Sequence, residues 1–440
     1  MITVNSARCG AGKTTQDIFP RISQGLAQGQ YYIVAVPSQQ LARNYRQHFG
    51  HDAEMIVSTA GLPSVRTRLE AALKTHTSLI IITHQAFVEF TWRRLDRQDY
   101  NLIIDEAFEP FRTLTYKIDD PEEIRDSFVL DDSQLAGNWF PVANNPCWRE
   151  HTAYMESATY RDLTNDNWWL WQSRDDNRDL HQGLACEFGQ ELRFDRMFDH
   201  WHSIHIAAAK FEDTFMAYWL RRNQVKWLST HEFEPHSNAC VTWHSFRLRW
   251  SKNFRQQYPH VYEQYIDYVN NHSNEPILAL RNNASNLKLK NETRLNHNCH
   301  GNNSYIDYQR ISVESSLNLK PEHHRWIQDL LEMSNKEIKR ARTTYTLYQT
   351  IMRSAIRRQE TLIDPINIYS CDEEVTYQLW DYIDIKTSDV DVLEIPIRDL
   401  PTKPIPLTNA ERARISRYKR KNPETTEGLT SREVLELADK

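Results

Sequence analysis

Glycines, a lysine and a threonine near the amino terminus are spaced as in a loop that wraps a phosphate group. The segment Ala7-Arg-Cys-Gly-Ala-Gly-Lys-Thr14 follows an apolar run, Met1–Asn5, and precedes a predicted helix. Its glycines would let backbone N–H groups turn toward phosphate oxygens, at the positive end of that helix. Lys13 would reach the outer phosphates, and the Thr14 hydroxyl would bind magnesium. The predicted nucleotide site consists of Ala7, Arg8, Cys9, Gly10, Ala11, Gly12, Lys13, Thr14 and Thr15.

Two adjacent carboxylates follow a second apolar run. Leu102-Ile-Ile-Asp-Glu-Ala107 predicts a buried strand that presents Asp105 and Glu106 at the carboxyl edge of a sheet, where α/β sheets bind ligands. Asp105 would hold magnesium, and Glu106 would orient and deprotonate an attacking water. A strand before a capped helix would explain the same residues, but the phosphate-binding loop upstream favours the catalytic interpretation. The expected cofactors are therefore ATP and Mg²⁺.

Short apolar runs alternate with helical stretches, which indicates a parallel sheet with crossover helices and an α/β fold class. In the first part of the chain the predicted elements are Met1–Asn5, Tyr32–Val36, Gln39–Phe49, Val65–Lys74, Leu79–Thr83 and Asn101–Ile104. Further along they are Ser203–Ala209, Thr214–Arg221, Ile277–Leu280, Tyr308–Val313, one long helix from about Pro321 to Arg357, and Ile366–Tyr369.

The chain of 440 residues is too long for one typical core, so we expect two lobes separated by an insertion. The predicted partition is a first lobe at 1–110, an accessory insertion at 111–202, completion of the first lobe and a linker at 203–270, a second lobe at 271–400, and a Pro-rich linker with a basic helix at 401–440. The insertion has no clear strand order. It contains Trp139, Trp148, Trp168, Trp169 and Trp171, for which core packing is favoured over base stacking.

The composition narrows the class of protein. A formal charge of −6 means that any nucleic-acid binding must come from local basic patches, such as the predicted helix Arg412–Lys421. The six cysteines form no CxxC pair, and no convincing fourth ligand joins His297, Cys299 and His300 in a zinc site. No apolar run approaches the length of a membrane span. We therefore expect a cytoplasmic protein that does not bind membranes.

The motifs of the first lobe resemble those of superfamily 2 helicases and translocases, which are built from two RecA-like lobes. The phosphate-binding loop matches their AxxGxGKT motif, and Asp105-Glu-Ala-Phe108 looks like their DEAx motif. Val36-Pro-Ser-Gln-Gln-Leu-Ala42 resembles the motif that opens with Pro-Thr, and Thr83-His-Gln-Ala-Phe87 resembles the Thr-His segment. The resemblance implies that nucleic acid contacts Pro37, Ser38, Gln39, Thr83 and His84.

The resemblance extends to the predicted second lobe. Gln349-Thr-Ile-Met-Arg-Ser-Ala-Ile-Arg357 resembles the sixth motif, QxxGRxxR, with Met352 in place of glycine and one residue added before the last arginine. It implies that Gln349, Arg353 and Arg357 complete the catalytic site, with the arginines reaching the γ-phosphate. Their spacing places the two arginines on one helix face, and a salt-bridged helix face would explain them as well.

Two further short segments resemble helicase motifs. His300-Gly-Asn-Asn-Ser-Tyr305 resembles segments of phage- and plasmid-encoded helicases, which implies nucleic-acid contacts at Gly301 and Asn302. The turn Ala207–Thr214 could stand in for the third motif, Ser-Ala-Thr, which couples hydrolysis to movement. The exact sequence Ser157-Ala-Thr159 also occurs, but the residues before it do not have the pattern of a buried strand, so the later turn is preferred.

The leading hypothesis is an ATP-dependent helicase or translocase that acts on nucleic acid, with single-stranded or branched DNA favoured over RNA. Replication or recombination proteins are the expected partners, and the compartment would be the host cytoplasm if the protein is phage-encoded. The alternative is a P-loop ATPase switch in a replication, packaging or defence complex without strand separation. A nucleic-acid-binding protein with a vestigial loop is disfavoured because Lys13, Thr14, Asp105 and Glu106 are intact.

Overall fold

Three β-sheets and the helices around them form the part of the chain described by the computed structural model. The described residues are 1–117, 128–130, 139–144, 165–173, 185–234, 241–248, 250–272, 274–281, 288–295, 305–315, 317–358, 365–383 and 390–394. The predictions for Trp148, Ser157–Thr159, Cys299, His300–Ser304 and Arg412–Lys421 lie outside these residues.

The strands of the described residues are numbered in chain order. They are β1 Ile2–Asn5, β2 Tyr31–Val36, β3 Ala53–Ile56, β4 Leu79–Thr83, β5 Tyr100–Asp105, β6 Phe111–Lys117, β7 Phe128–Leu130, β8 Trp139–Asn144, β9 Trp168–Ser173, β10 Ala185–Leu192, β11 Ser203–Ala207, β12 Trp227–His231, β13 Val241–Leu248, β14 Ile277–Leu280, β15 Glu292–Arg294, β16 Arg310–Val313, β17 Ile366–Asp372 and β18 Val390–Glu394.

The α-helices of the same residues are α1 Phe19–Ala27, α2 Gln39–Phe49, α3 Val65–Lys74, α4 His84–Glu89, α5 Arg94–Arg97, α6 Phe194–Met197, α7 Phe215–Arg222, α8 Lys252–Gln257, α9 Pro259–His272, α10 Pro321–Leu331, α11 Asn335–Lys339, α12 Tyr345–Ile351 and α13 Glu373–Ile383. Side-chain hydroxyls set several of their starts: Ser38, Ser64, Thr83 and Thr214 each accept a hydrogen bond from a backbone N–H of the first turn. None of the helices in the described ranges is long and apolar enough to span a bilayer.

The first sheet is parallel and runs in the order β12-β1-β11-β5-β2-β4-β3. Every residue of β5 is buried, and β2 is buried beyond its first residue. Burial on both faces is typical of a parallel strand in the middle of an α/β layer structure. The carboxyl ends of β1, β5 and β11 therefore lie side by side at one edge of this sheet, where the phosphate-binding loop and the carboxylates emerge.

A second, antiparallel sheet follows the carboxylates, in the order β6-β10-β9-β8-β7. No strand order emerges from the sequence of this insertion, yet the structure has five paired strands among its described residues. The pairing is long-range, since Phe111 faces Glu191, and periodicity within one short segment does not reveal such partners. Trp139, Trp168 and Trp171 are buried, as core packing requires, whereas Trp169 is 45% exposed.

The third sheet is also parallel and runs in the order β15-β14-β16-β17-β13-β18. Strand β13 lies inside this sheet, although the predicted partition assigns residues 203–270 to the first lobe and a linker. The second lobe therefore includes residues from 241 onward rather than from 271. Two parallel sheets with flanking helices are the two RecA-like lobes expected from the sequence.

The predicted long helix from Pro321 to Arg357 is broken into α10, α11, a π-helical turn at Arg340–Thr344, α12 and a 3₁₀ turn at Ala355–Arg358. The first break follows Glu332, whose backbone is left-handed with φ 54°. A new helix then begins because Ser334 and Glu337 form a capping box. The apolar spacing typical of an α-helix continues across these interruptions, so the sequence pattern does not reveal them.

Helix α10 packs against the insertion rather than against its own sheet. Trp326 is fully buried between Phe111 and Trp139, with ring centroids 5.8 and 6.0 Å away. A Cβ atom on Gly189 would lie 2.3 Å from Trp326 Cε2, so this strand position requires glycine. The insertion, the first lobe and α10 thus share one hydrophobic core.

Candidate nucleotide site between the two lobes

The segment between β1 and the π-helical turn Lys13–Ile18 forms a tight loop. Gly10 and Gly12 have φ values of 83° and 79°, in the left-handed region that favours glycine. A Cβ atom on Gly12 would lie 2.7 Å from Gln16 Cδ, and one on Gly10 would lie 3.4 Å from Arg357 Cγ. The backbone conformation therefore favours glycine at both positions of the predicted phosphate-binding loop, and a Cβ atom at Gly12 would also require the Gln16 side chain to move.

The cationic and hydroxyl side chains of the loop lie against its own backbone and against β5. Lys13 is 8% exposed, and its Nζ donates to the carbonyl oxygens of Ala7 and Arg8 at 2.9 and 3.1 Å. Thr14 Oγ1 donates to Asp105 Oδ2 at 3.0 Å, whereas the Thr15 hydroxyl donates to Gly12 O. The structure thus brings the lysine and the first threonine to the end of β5.

Asp105 is a buried carboxylate at that strand end. Its Oδ2 accepts hydrogen bonds from Thr14 Oγ1 and, at 2.7 Å, from the hydroxyl of Tyr45. Burial raises the pKa of Asp105 to about 6, and the neighbouring charge of Glu106 contributes to this rise. Burial makes the Asp105 carboxylate costly to ionise. This carboxylate and the neighbouring Thr14 hydroxyl are oxygen ligands of the kind that a divalent cation binds.

Glu106 leaves the strand with a left-handed backbone, φ 71°, which is unusual for a residue with a side chain. Its N–H donates to Ala207 O at the end of β11. Its Oε2 accepts from Gln349 Nε2 at 3.1 Å and lies 3.4 Å from the hydroxyl of Tyr345. The second carboxylate is therefore held by residues of the second lobe.

Helix α12 also contacts the loop. The backbone N–H of Cys9 donates to the hydroxyl oxygen of Tyr348 at 3.1 Å, and Cys9 Sγ lies 3.1 Å from Gln349 Oε1. Burial raises the pKa of the Cys9 thiol, so the sulfur carries its proton and donates to the amide oxygen. Gln349 thus bridges the phosphate-binding loop and Glu106.

The two arginines enter the site from beyond α12. Arg353 follows the end of that helix and Arg357 lies in the 3₁₀ turn, so the prediction that they share one helix face was wrong. The chain instead turns after Met352, and both arginines line one cavity of about 700 Å³ together with Lys13, Asp105 and Glu106. Burial lowers the pKa of Arg357, and the charge of Arg353 lowers it further.

The residues predicted to contact nucleic acid in the first lobe lie at the carboxyl ends of β2 and β4. Ser38 and Thr83 cap α2 and α4, which accounts for their hydroxyls structurally. Pro37 and Gln39 flank the first cap, and His84 Nε2 lies 3.1 Å from Asp105 O. Gly301 and Asn302 lie outside the described residues. His84 is thus linked directly to the carboxylate strand.

The turn after β11 connects the loop with the second lobe. The N–H groups of Ala208 and Lys210 donate to Asn5 O and Ser6 O, and Ala207 O accepts from Glu106. Lys210 is left-handed, with φ 49°, and its Nζ lies 4.7 Å from the ring centroid of Tyr382 on α13. This turn therefore contacts both the backbone of Glu106 and helix α13 of the second lobe.

A buried polar cluster fixes α1 and its preceding turn to the sheet. Asp17 Oδ2 accepts from Asn5 Nδ2 at 2.6 Å and lies 3.0 Å from His205 Nε2, while His205 Nδ1 lies 2.9 Å from Thr3 Oγ1. Burial would raise the pKa of Asp17, but the hydrogen bonds to His205 and Asn5 outweigh it and hold the pKa below its ordinary value. The start of the helix behind the loop is therefore rigidly placed.

Sequence reasoning missed three tyrosines at this site: Tyr45, Tyr345 and Tyr348. Tyr45 lies on the apolar face of α2, where a core role explains it equally well. Tyr345 precedes Gln349 by four residues, a spacing that places both on one helix face. That spacing was the available signal for Tyr345, whereas nothing local indicates the contact of Tyr348 with Cys9, 339 residues away in sequence.

The structure has two lobes, with a glycine-containing loop and paired carboxylates on one sheet and a glutamine with two arginines from the other. No protein-family model matches the chain, and no curated protein matches its sequence. Solved structures named XPD and Xpd4 share the fold.

One, titled "XPD_APO", is 12% identical, covers 89% of this chain and 97% of its own, and has a TM-score of 0.51. Another, titled "Structure of S. tokodaii Xpd4", is 12% identical with coverages of 89% and 96% and a TM-score of 0.50. The chain therefore shares the overall fold of these two structures.

Proposed function

We propose that this protein is a nucleic-acid-dependent ATPase of the helicase or translocase type, with Mg²⁺ as its cation and DNA as its favoured substrate. The observation that carries the proposal is the division of the site between the two lobes. Lys13, Asp105 and Glu106 belong to the first lobe, and Gln349 and both arginines belong to the second, yet all of them meet within hydrogen-bonding distance or in one cavity.

The residues at the site fit a nucleoside triphosphate and a divalent cation. The positive φ values of Gly10 and Gly12 favour glycine where phosphate would approach, and among the described residues the hydrogen bonds to the buried Asp105 carboxylate come from two hydroxyl groups. When bound, magnesium neutralises charge on the outer phosphates. Thr14 and Asp105 would hold this ion, and Lys13 would bind the phosphate oxygens.

Hydrolysis needs a proton acceptor and a group that stabilises the developing negative charge. Glu106 would take a proton from the attacking water, whose oxygen bonds to the terminal phosphorus as the bond to the ADP oxygen breaks. Arg353 and Arg357 would stabilise the charge on the transferred phosphoryl group. Because these groups reside on different lobes, hydrolysis would change the relative placement of the lobes and hence their grip on a strand.

Steady-state ATP hydrolysis by the full chain, with single-stranded, duplex and forked DNA and the matching RNAs, tests the proposal. We expect Mg²⁺-dependent turnover that rises with nucleic acid, most with single-stranded or forked DNA. Lys13→Ala should abolish turnover. Undiminished hydrolysis in that variant would remove the site assignment, and hydrolysis that no nucleic acid stimulates would favour an ATPase switch that acts on proteins without strand separation.

A further inference from the structure

Two side chains of the second lobe, Tyr345 and Gln349, and the Cys9 side chain of the first lobe form a connected set of hydrogen bonds around Glu106. Gln349 Nε2 lies 3.1 Å from Glu106 Oε2 and 3.2 Å from the Tyr345 hydroxyl oxygen, which itself lies 3.4 Å from Glu106 Oε2. Gln349 Oε1 accepts from Cys9 Sγ. Cys9, Tyr345 and Gln349 are buried, whereas Glu106 is partly exposed, so the bonds among the three buried side chains are shielded from water.

The chemistry of the donors sets the direction of each bond. Burial, together with the nearby charge of Glu106, raises the pKa of Tyr345 well above its ordinary value, so its hydroxyl keeps its proton and donates to the carboxylate. The Cys9 thiol can only donate strongly here, which makes the facing Gln349 atom the amide oxygen. The amide nitrogen must then face Glu106 and Tyr345.

The backbone on both sides restricts these side chains. The left-handed φ of 71° at Glu106 and the hydrogen bond from its N–H to Ala207 O fix the backbone from which this carboxylate extends. Tyr345 begins α12 directly after the π-helical turn Arg340–Thr344, a local irregularity that recurs at functional sites. Arg342, within that turn, is bound to Glu109 at 2.6 Å.

We propose that Tyr345 is a positioning residue for the reaction assigned above, holding Glu106 so that one carboxylate oxygen accepts the proton of the attacking water. Among the described residues, the hydrogen bonds to this carboxylate both go to Oε2. Oε1 is then the oxygen that accepts the proton. The inference rests on the proposed ATPase function, and it makes activity depend on contact between the lobes through a group other than the arginines.

The test compares Tyr345→Phe with Tyr100→Phe, each of which removes one hydroxyl from a buried tyrosine. The Tyr100 hydroxyl donates to Thr77 O at 3.0 Å within the first lobe, remote from the site. We expect Tyr345→Phe to lower kcat roughly tenfold, the effect of losing one hydrogen bond to a charged group, with KM for ATP within about twofold. Tyr100→Phe should leave kcat within about twofold of the unmodified protein.

A double-mutant cycle separates positioning from a general structural role. If Tyr345 acts through Glu106, Tyr345→Phe should lower kcat no further once Glu106→Gln is present. A full tenfold loss in that background, or an unchanged kcat in the single variant, would overturn the inference. ATP hydrolysis by the unmodified chain distinguishes failure of the proposed function from failure of the inference. If the unmodified chain does not hydrolyse ATP, both are wrong. If it does and Tyr345→Phe has the same kcat, only the inference is wrong.

Discussion

Glu191 lies on β10, buried between the insertion and the first lobe, and its replacement by glutamine should stabilise the protein. Its Oε1 lies 3.3 Å from Arg222 Nε, and Arg222 also donates to Leu330 O on α10. Burial raises the pKa of Glu191 to about 7 despite this ion pair, because the cost of desolvating the carboxylate exceeds the attraction of a partly exposed guanidinium. The folded protein therefore binds this proton more tightly than the unfolded chain.

The sign and size of the effect follow from that difference. Between the ordinary pKa of 4.5 and the folded value of about 7, the free energy of unfolding falls as pH rises. At about 1.4 kcal/mol per pH unit, keeping Glu191 protonated at pH 6 costs the folded protein about 2 kcal/mol, and burying it ionised at pH 8 costs about 3 kcal/mol. Glu191→Gln removes that cost, so its stabilising effect should be larger at pH 8.

Urea unfolding at both pH values, followed by tryptophan fluorescence, measures this effect, since Trp171 and Trp326 are buried in the same core. Asp17→Asn is the matched control of opposite sign. Hydrogen bonds to His205 and Asn5 depress the pKa of Asp17, so its charge stabilises the fold above the ordinary pKa of 3.8 and the control variant should be less stable at both pH values. A Glu191→Gln variant that is destabilised at pH 8, or stabilised equally at both pH values, would refute the reasoning.

Two further predictions concern packing and catalysis. Gly189→Ala should lower the free energy of unfolding by about 1–3 kcal/mol, because the new Cβ would overlap the Trp326 ring, and unfolding as stable as that of the unmodified chain would contradict this packing. Arg353→Ala should lower kcat for ATP hydrolysis by about 10³-fold with nucleotide binding retained. Arg66→Ala, which removes an exposed ion pair, should leave kcat unchanged. Equal kcat values for the two variants would show that Arg353 does not stabilise the transition state.

Local signals account for the elements that sequence reasoning placed well. Helices α2 and α3 begin and end at the predicted residues because Ser38 and Ser64 cap them and their apolar residues recur at helical spacing. The buried strand β4 is bounded by polar residues and was likewise predicted in full. In each case the information lies within a few residues of the element itself.

The elements that were missed depend on distant partners. Strand β13 is central in the third sheet only because β17 and β18 flank it, more than 100 residues later. The breaks at Glu332 and at Arg340–Thr344 interrupt a helical pattern whose apolar spacing continues across them. The same holds for the site, where the spacing of the loop could be interpreted locally but the contacts of Tyr45 and Tyr348 arise from folding alone.

The insertion of α10 into the core of the first lobe has a consequence for synthesis of the chain. Trp326, Ile338 and Ala341 belong to the same hydrophobic cluster as Ile2 and Val4. Although domains generally fold from the amino terminus as they leave the ribosome, this lobe cannot complete its core until Ala341 has been made. Until then, the apolar surface that will receive Trp326 is exposed, so the nascent chain should depend on chaperones over this interval.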